Sequence, residues 1–151
     1  MSAVLVLNGP NLGRLGLREP DIYGSTTHDE LVALLTGEGV KYGQDVEVRQ
    51  TDDEATLVAW IHEACDSTTP VVLNPAAFTH YSYALRDACA QRTAPMVEVH
   101  LTNPAARESF RHESVISGVV DGTIAGQGRD PEVDSIDRDG VYSRGFAVGY
   151  A

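Results

Sequence analysis

The chain alternates short apolar runs with longer segments in which apolar residues recur at helical spacing. Five runs rich in valine, isoleucine or leucine predict strands at 3–7, 46–50, 71–73, 96–101 and, more weakly, within 119–125. Strands that alternate with helices are typical of βαβ units on a parallel sheet. The pattern therefore predicts one α/β domain over residues 1–151, with a flavodoxin-like, five-stranded parallel sheet and helices on both faces.

Four helices are predicted between and after these strands. The first starts at a capping box formed by Thr27 and Glu30, and it ends near Gly43. The other helices are predicted over about 53–65, over 80–91 and from Asn103 onwards, where a proline follows the cap. Ligands of such sheets bind beyond the carboxyl ends of the strands, so polar residues that follow strands are the candidate site residues.

Charge and composition exclude several classes of partner. The formal net charge of −11 argues against nucleic acid or an anionic membrane, because both require basic patches on the protein. Every apolar run is shorter than the ~18 residues of a membrane helix, and the run at 3–7 does not have the form of a secretion signal. Cys65 and Cys89 lie in helical patterns and are expected to be free thiols, which favours a cytoplasmic location.

A long connection of about eighteen residues, 8–25, follows the first predicted strand. Such connections usually have about 2 to 6 residues, so a lid over the site is the economical explanation. Arg14, Arg18 and Tyr23 give this lid two cations and one acid-base group. A guanidinium stabilises a nearby phenolate, so Arg18 and Tyr23 could act together as a base. A phosphate-cradling or merely flexible loop stays open as the alternative, although the sequence lacks the usual nucleotide-binding patterns.

Glu98 and His100 point to the same side of the fourth predicted strand, because side chains alternate along a strand. A carboxylate beside an imidazole orients the ring and favours its protonated form, which is the preparation that a general acid needs. An incidental pair on a solvent-facing edge strand is the alternative interpretation.

His80 and Asp87 share a face of the third predicted helix, two turns apart. Together with Asn74 at the end of the preceding strand, they could hydrogen-bond a ligand rich in hydroxyl groups. A helix cap at His80 with a solvated Asp87 explains the same pattern equally well. A metal site is disfavoured, because the sequence lacks the histidine or cysteine spacing that metal sites use.

Arg107 and Arg111 lie one turn apart on the fourth predicted helix. Such pairs are most often surface salt bridges, and this interpretation stays open. The backbone amides that open the helix, at 101–103, form a candidate carboxylate site just beyond His100.

Six ordered segments carry a family resemblance. They are Asn-Gly-Pro-Asn-Leu-Gly-Arg-Leu-Gly at 8–16, Arg-Glu-Pro-Asp-Ile-Tyr-Gly at 18–24, Asn-Pro-Ala-Ala-Phe-Thr-His at 74–80, Ala-Leu-Arg-Asp-Ala at 84–88, Glu-Val-His at 98–100, and the stretch 103–112 with Arg107 and Phe-Arg-His at its end. In this order and spacing they resemble the type II 3-dehydroquinate dehydratases, over roughly residues 3–128. The resemblance implies a cofactor-free lyase of the shikimate pathway that converts 3-dehydroquinate to 3-dehydroshikimate by anti elimination through an enolate.

The resemblance also implies a role for each matching residue. Tyr23 would take a proton from C2 of the substrate, with Arg18 holding it as phenolate. His100, oriented by Glu98, would protonate the departing C1 hydroxyl, and Asn11 would stabilise the enolate oxygen through a bound water. The residues implied in substrate binding, the lid or a subunit contact are Asn74, His80, Asp87, Arg111, the amides of Leu101 and Thr102, Arg14 in the lid, and Arg107 in the lid or at the contact.

The family forms trimers that assemble into dodecamers, and an acidic residue of a neighbouring subunit reaches the site. The resemblance therefore implies a homo-oligomer whose partner is a small-molecule substrate. Lys41 is the only lysine in the chain and is predicted at an exposed helix end, which agrees with chemistry that needs no Schiff base.

The chain departs from the family pattern at 129–140, where five acidic residues predict a solvated loop instead of the start of a last helix. This departure is the only motive for the alternative, a degenerate flavodoxin-like binding or regulatory module without activity. A receiver domain is a less suitable alternative, because it needs an aspartate after the third strand, where Asn74 stands.

Overall fold

The computed structural model describes residues 2–17 and 27–126, so the acidic segment 129–140 lies outside the described residues. Its central feature is a sheet of five strands, β1 Ser2–Asn8, β2 Gln44–Gln50, β3 Val71–Asn74, β4 Met96–His100 and β5 Gly122–Ala125. The strands are ordered β2-β1-β3-β4-β5, and every neighbouring pair is parallel. The predicted five-stranded parallel sheet is confirmed, and each strand overlaps its predicted range.

Three α-helices lie within the described ranges: α1 His28–Lys41, α2 Glu54–Ser67 and α3 Tyr83–Cys89. Each starts at a side chain that accepts a hydrogen bond from a backbone amide of the first turn, which would otherwise lack a partner. The capping residues are Thr27, which accepts from Glu30, Asp53, which accepts from Thr56, and Ser82, which accepts from Leu85. The start predicted for the first helix at Thr27 is confirmed.

The third and fourth helices differ from the prediction. Because Ser82 caps α3, this helix begins at Tyr83, and Ala76–His80 forms a separate 3-10 helix before it. The prediction of a fourth α-helix is wrong, since the short 3-10 helices Pro104–Ala106 and Ser109–His112 take its place. The Asn103 side chain accepts from the Ala105 amide as a cap does, but the next turn ends at Arg107, whose backbone is extended.

Helices cover both faces of the sheet, as predicted. One core joins the sheet to α1 through Val4, Val6, Val72, Val97, Val99, Leu31 and Leu35. The other joins it to α2 and α3 through Leu5, Leu7, Val71, Leu73, Met96, Leu57, Ile61, Leu85 and Ala88. The central strands β1, β3 and β4 contribute residues to both cores, because successive side chains point to opposite faces. Among the described residues, the helices are too short or too polar to cross a membrane.

The carboxyl ends of the central strands meet at one edge of the sheet. Asn8 of β1 pairs in register with Gln50 of β2 and with Asn74 of β3. β4 lies between β3 and β5, and Glu98 within it is 0% exposed. The alternative of a solvent-facing edge strand for Glu98 and His100 is therefore wrong.

Candidate active site

A cleft of about 110 Å³ opens at the carboxyl edge of the sheet, where parallel α/β proteins bind their ligands. The segments that follow β1, β3 and β4 form its walls. Its lining residues are Pro10, Asn11, Leu12, Asn74, Ala76, Ala77, His80, His100, Leu101, Thr102, Pro104, Arg107 and Arg111. Seven of these were candidate site residues on sequence grounds, namely Asn11, Asn74, His80, His100, Leu101, Thr102 and Arg111.

The loop after β1 brings Asn11 into the cleft. The Gly9 amide donates to the Asn74 carbonyl at 2.8 Å, so this loop lies directly against the turn that follows β3. Asn11 has a φ of 69°, in the left-handed region that asparagine tolerates better than most residues. Its amide donates to the Asp52 Oδ1 at 2.8 Å. Asp52, just beyond β2, thus fixes the backbone that carries Asn11.

Asn74 and His80 occupy the wall that follows β3. Asn74 is 3% exposed, and its Oδ1 accepts from the Ala76 amide at 3.1 Å. The His80 Nδ1 lies 2.7 Å from the carbonyl oxygen of Glu113. A carbonyl only accepts hydrogen bonds, so Nδ1 carries a proton, and in the neutral tautomer with this proton Nε2 is an acceptor.

Glu98 lies beneath His100 in the interior of the protein. Its Oε2 is 2.5 Å from the His100 Nε2 and also accepts from the Thr79 hydroxyl, while its Oε1 accepts from the Ser117 hydroxyl at 2.7 Å. Burial alone would raise the pKa of Glu98, but the hydrogen bond and charge of His100, with the hydroxyl donors, hold the pKa below its usual value. Glu98 is therefore an ionised carboxylate in a site closed to water.

Two arginines bring positive charge to the cleft of this acidic protein. The Arg107 Nη1 donates to the Thr102 Oγ1 at 3.3 Å, and the Arg111 Nε forms an ion pair with Glu108. Leu101 and Thr102 are buried at the start of the segment that carries both arginines. The cleft thus combines cations with amide, imidazole and hydroxyl groups, a set suited to an anionic ligand rich in oxygen. Among the described residues, no cluster of three histidine, cysteine or acidic side chains could hold a metal ion.

A family model, described as dehydroquinase class II, matches residues 2–136 of the sequence. The chain belongs to this family. A 3-dehydroquinate dehydratase of Salinispora arenicola is 58% identical over 127 residues, which span 84% of this chain and 89% of the relative. A 3-dehydroquinate dehydratase of Mycobacterium tuberculosis is 56% identical over 125 residues, which span 83% of this chain and 85% of the relative.

A solved type II dehydroquinase from Propionibacterium acnes has the same fold as this chain, with a TM-score of 0.86 at 53% sequence identity. The superposition covers 98% of this chain and 94% of that structure. The family resemblance inferred from six short segments is therefore confirmed.

Arg107 lines the cleft, a position that the sequence did not predict. The family resemblance assigned it to the lid or a subunit contact, and its helical spacing to Arg111 favoured a surface salt bridge. In the structure it lines the cleft beside Thr102. The predicted α-helical spacing of the two arginines is wrong, because the segment forms short 3-10 helices, whereas the predicted salt bridge is confirmed for Arg111, which pairs with Glu108. The nearness of Arg107 to the predicted carboxylate site was the more useful signal for its place.

Two further predicted site residues, Asp87 and Arg14, are described by the structure but do not line the cleft. Asp87 lies on α3 with its side chain 80% exposed, and it does not share a helical face with His80, which precedes that helix. Arg14 is exposed at the end of the 3-10 helix Leu12–Arg14. Arg18 and Tyr23 lie outside the described residues.

Proposed function

We propose that this chain dehydrates 3-dehydroquinate to 3-dehydroshikimate, by anti elimination through an enolate, as a step of the shikimate pathway. The observation that carries the proposal is the pair formed by His100 and Glu98, in which an imidazole at the cleft contacts a buried carboxylate at 2.5 Å. Membership of the class II dehydroquinase family and relatives named 3-dehydroquinate dehydratase support this reaction and this substrate.

His100 acts as the general acid of the elimination. Glu98 engages its Nε2, so Nδ1 is the nitrogen left to protonate the C1 hydroxyl as it departs. The ionised carboxylate stabilises the imidazolium and fixes the plane of the ring before the carbon–oxygen bond breaks. The hydroxyl leaves as water, with the proton that His100 supplies.

Tyr23 acts as the base that removes the C2 proton, and Arg18 keeps it as phenolate. The residues on either side of their segment support this role, because Asn11 lines the cleft and His28 contacts Asn8 at the same edge of the sheet. Asn11 stabilises the enolate oxygen through a bound water, and Arg14 belongs to the lid that excludes solvent.

The other cleft residues bind the substrate. Its carboxylate lies at the amides of Leu101 and Thr102, where Arg107 and Arg111 add positive charge. The ring hydroxyls bind to Asn74, to His80 through Nε2, and to Arg111. His80 is suited to accept from a hydroxyl, because the carbonyl of Glu113 engages its other nitrogen.

Asp87 completes the site from a neighbouring subunit. Its side chain points to solvent on α3 and is absent from the cleft of its own subunit. The exposed rings of Tyr81 and Tyr83, close to Asp87 along the chain, support a subunit contact on this side. The assembly is a dodecamer built from trimers. It acts in the cytoplasm, in agreement with Cys65 and Cys89 as free thiols.

Purified protein should convert 3-dehydroquinate to the conjugated enone 3-dehydroshikimate without added metal or cofactor, which ultraviolet absorbance follows directly. Tyr23→Phe and Arg18→Ala should each lose activity by roughly 10²–10⁴-fold, since each removes part of the base. Tyr42→Phe changes an exposed tyrosine at the end of α1 and serves as the matched control with full activity.

Well-folded wild-type protein without turnover would contradict the proposed reaction. A fully active Tyr23→Phe variant would leave the reaction in place and remove Tyr23 as its base. Borohydride added with substrate should leave the enzyme active, whereas a covalent adduct at Lys41 would indicate a Schiff-base mechanism instead.

A further inference from the structure

Hydroxyl groups surround the carboxylate of Glu98 inside the protein. The Thr79 hydroxyl donates to Oε2, the Ser117 hydroxyl donates to Oε1 at 2.7 Å, and the Ser114 hydroxyl lies 3.3 Å from Oε1. Thr79 comes from the turn after β3, whereas both serines come from the segment that precedes β5. Two separate parts of the chain thus supply donors to one buried charge.

Ser114 fixes the direction in which these hydroxyls donate. Its Oγ accepts from the amide of Ile116 at 3.1 Å and from the amide of Ser117 at 3.0 Å, which uses both of its lone pairs. Its own proton goes to the nearest acceptor, the Thr79 Oγ1 at 2.6 Å. Thr79 therefore cannot donate to Ser114, and its proton is directed to Glu98.

A proton on the Oε2 of Glu98 could not be donated to Thr79, because the Thr79 hydroxyl would then have to turn towards Ser114, which has no lone pair left. The His100 Nε2 is the acceptor that remains on this side, so the hydrogen bond donated by Thr79 weakens Glu98 in its competition with His100 for the shared proton. The hydrogen bonds on the Oε1 side, through Ser117, are less rigidly fixed. Ser117 accepts at 3.2 Å from the hydroxyl of Thr123, which is exposed on β5 and can turn away. The fixed branch through Ser114 and Thr79 is therefore the one that selects the carboxylate.

We propose that Thr79, Ser114 and Ser117 are positioning residues that keep Glu98 ionised, so that the proton shared with His100 stays on the imidazole. A carboxylate with fewer donors would compete more strongly for that proton, and a neutral Glu98 would no longer stabilise the imidazolium. The inference rests on the proposed role of His100 as the acid. It adds three residues that are not among those lining the cleft.

The titration of Glu98 tests the proposal directly. Protein with ¹³C-labelled glutamate side chains is titrated by NMR, and Glu98→Gln identifies the Glu98 signal. The midpoint should move to higher pH in Ser114→Ala and in Thr79→Val, and stay in place in Thr79→Ser, which keeps the hydroxyl. Ser67→Ala, at the end of α2, removes a serine hydroxyl that bonds the Glu63 carbonyl and is the matched control.

The kinetics should change in the same variants. In Ser114→Ala and Thr79→Val, kcat should fall roughly 10-fold with KM within about 2-fold, because ground-state binding is untouched and only the acid is weakened. The loss in kcat should grow as the pH is lowered. Thr79→Ser and Ser67→Ala should keep the wild-type values.

An unchanged Glu98 midpoint in folded Ser114→Ala would overturn the proposal. Equal losses in Thr79→Ser and Thr79→Val would overturn the role of the Thr79 hydroxyl and assign the effect to packing. If Thr79→Val does not fold, Ser114→Ala and Thr79→Ser still decide. A wild-type protein without turnover would contradict the proposed function, while the NMR midpoints would still test the hydroxyl network.

Discussion

At the start of α1, His28 connects the two ends of the loop that follows β1. The Asn8 Nδ2, at the end of that strand, donates to the His28 Nε2 at 3.2 Å. An acceptor nitrogen belongs to a neutral imidazole, because both nitrogens of the charged ring are donors. Burial lowers the pKa of His28, while the nearby charge of Asp29 acts in the opposite direction. The hydrogen bond that joins the two ends of the loop therefore forms only when His28 is neutral, at a pH above the pKa of its ring.

The free energy of unfolding should fall as the pH drops below 6.5, the ordinary value of a histidine, towards the lower pKa of folded His28. Stability falls in this pH range because His28 of the unfolded chain, with the higher pKa, binds its proton before His28 of the folded protein does. His28→Gln removes the titrating group and should lose less stability over the same window in urea unfolding. His62→Gln, at an exposed site on α2, should keep the wild-type loss. Identical curves for wild type and His28→Gln would contradict the assignment.

At the scale of elements, the loop after β1 and the turn after β3 approach each other so closely at Gly9 that no side chain fits between them. A Cβ on Gly9 would lie 2.7 Å from the Pro75 carbonyl oxygen, which is backbone and cannot rotate away. The same contact carries the hydrogen bond from the Gly9 amide to Asn74. Two walls of the cleft therefore keep their spacing because this position has no side chain.

Gly9→Ala should destabilise the protein by roughly 1–3 kcal/mol, the usual cost of overpacking a close contact. It should also reduce activity, since the loop that it displaces carries Asn11. Gly37→Ala is the matched control, because a Cβ there meets nothing within 4 Å and alanine favours the interior of α1 by roughly 0.5–1 kcal/mol. Guanidinium unfolding of both variants measures the two effects, and equal stabilities would contradict the contact.

How far the sequence predicts these elements depends on whether their signals are local. The valine-rich strands are predictable, because a run such as Val71–Asn74 is buried on both faces. The start of α3 was misplaced because His80 fits the helical spacing, whereas Ser82 is the residue that caps the helix. Asn103 correctly predicted the start of a turn, because its side chain caps Pro104–Ala106. The turn does not extend into a helix, because the backbone of Arg107 is extended.

The same limit applies to the site. Glu98 and His100 are predictable as a pair, because they lie two residues apart on one strand. The donors of Glu98 are not, since Thr79 and Ser114 are 35 residues apart and meet only when the segment before β5 packs against the turn after β3. The Val115 amide fixes that approach by donating to the Thr79 carbonyl at 2.7 Å. The periodicity of residues along one element contains no information on a contact between two segments that are distant in the sequence.

On the scale of the whole molecule, one residue assigned to substrate binding, Asp87, does not line the cleft of its own chain. Asp87 is 80% exposed on α3, away from the cleft. If it acts in the cleft of a neighbour, two different defects on two subunits can complement each other, whereas two defects in the same half of the site cannot.

Asp87→Asn should lower activity by roughly 10-fold or more, because it weakens a charged hydrogen bond to the substrate. Coexpression of Asp87→Asn with Tyr23→Phe should restore activity at about one site in four, if subunits mix at random in a ring where each site takes Asp87 from its neighbour. Tyr23→Phe with Arg18→Ala should restore none, because both residues act in the same subunit. Absence of recovery in the first mixture would place Asp87 outside the neighbouring site.

The hydroxyls around Glu98 also replace the water that would otherwise solvate this carboxylate. Water around an ion must turn its dipoles whenever the charge nearby changes, whereas the hydroxyls of Thr79 and Ser114 take their direction once, when the protein folds. As a proton leaves His100, little in this shell has to rearrange. A substrate that expels water from the cleft therefore leaves the polarity beneath the imidazole unchanged.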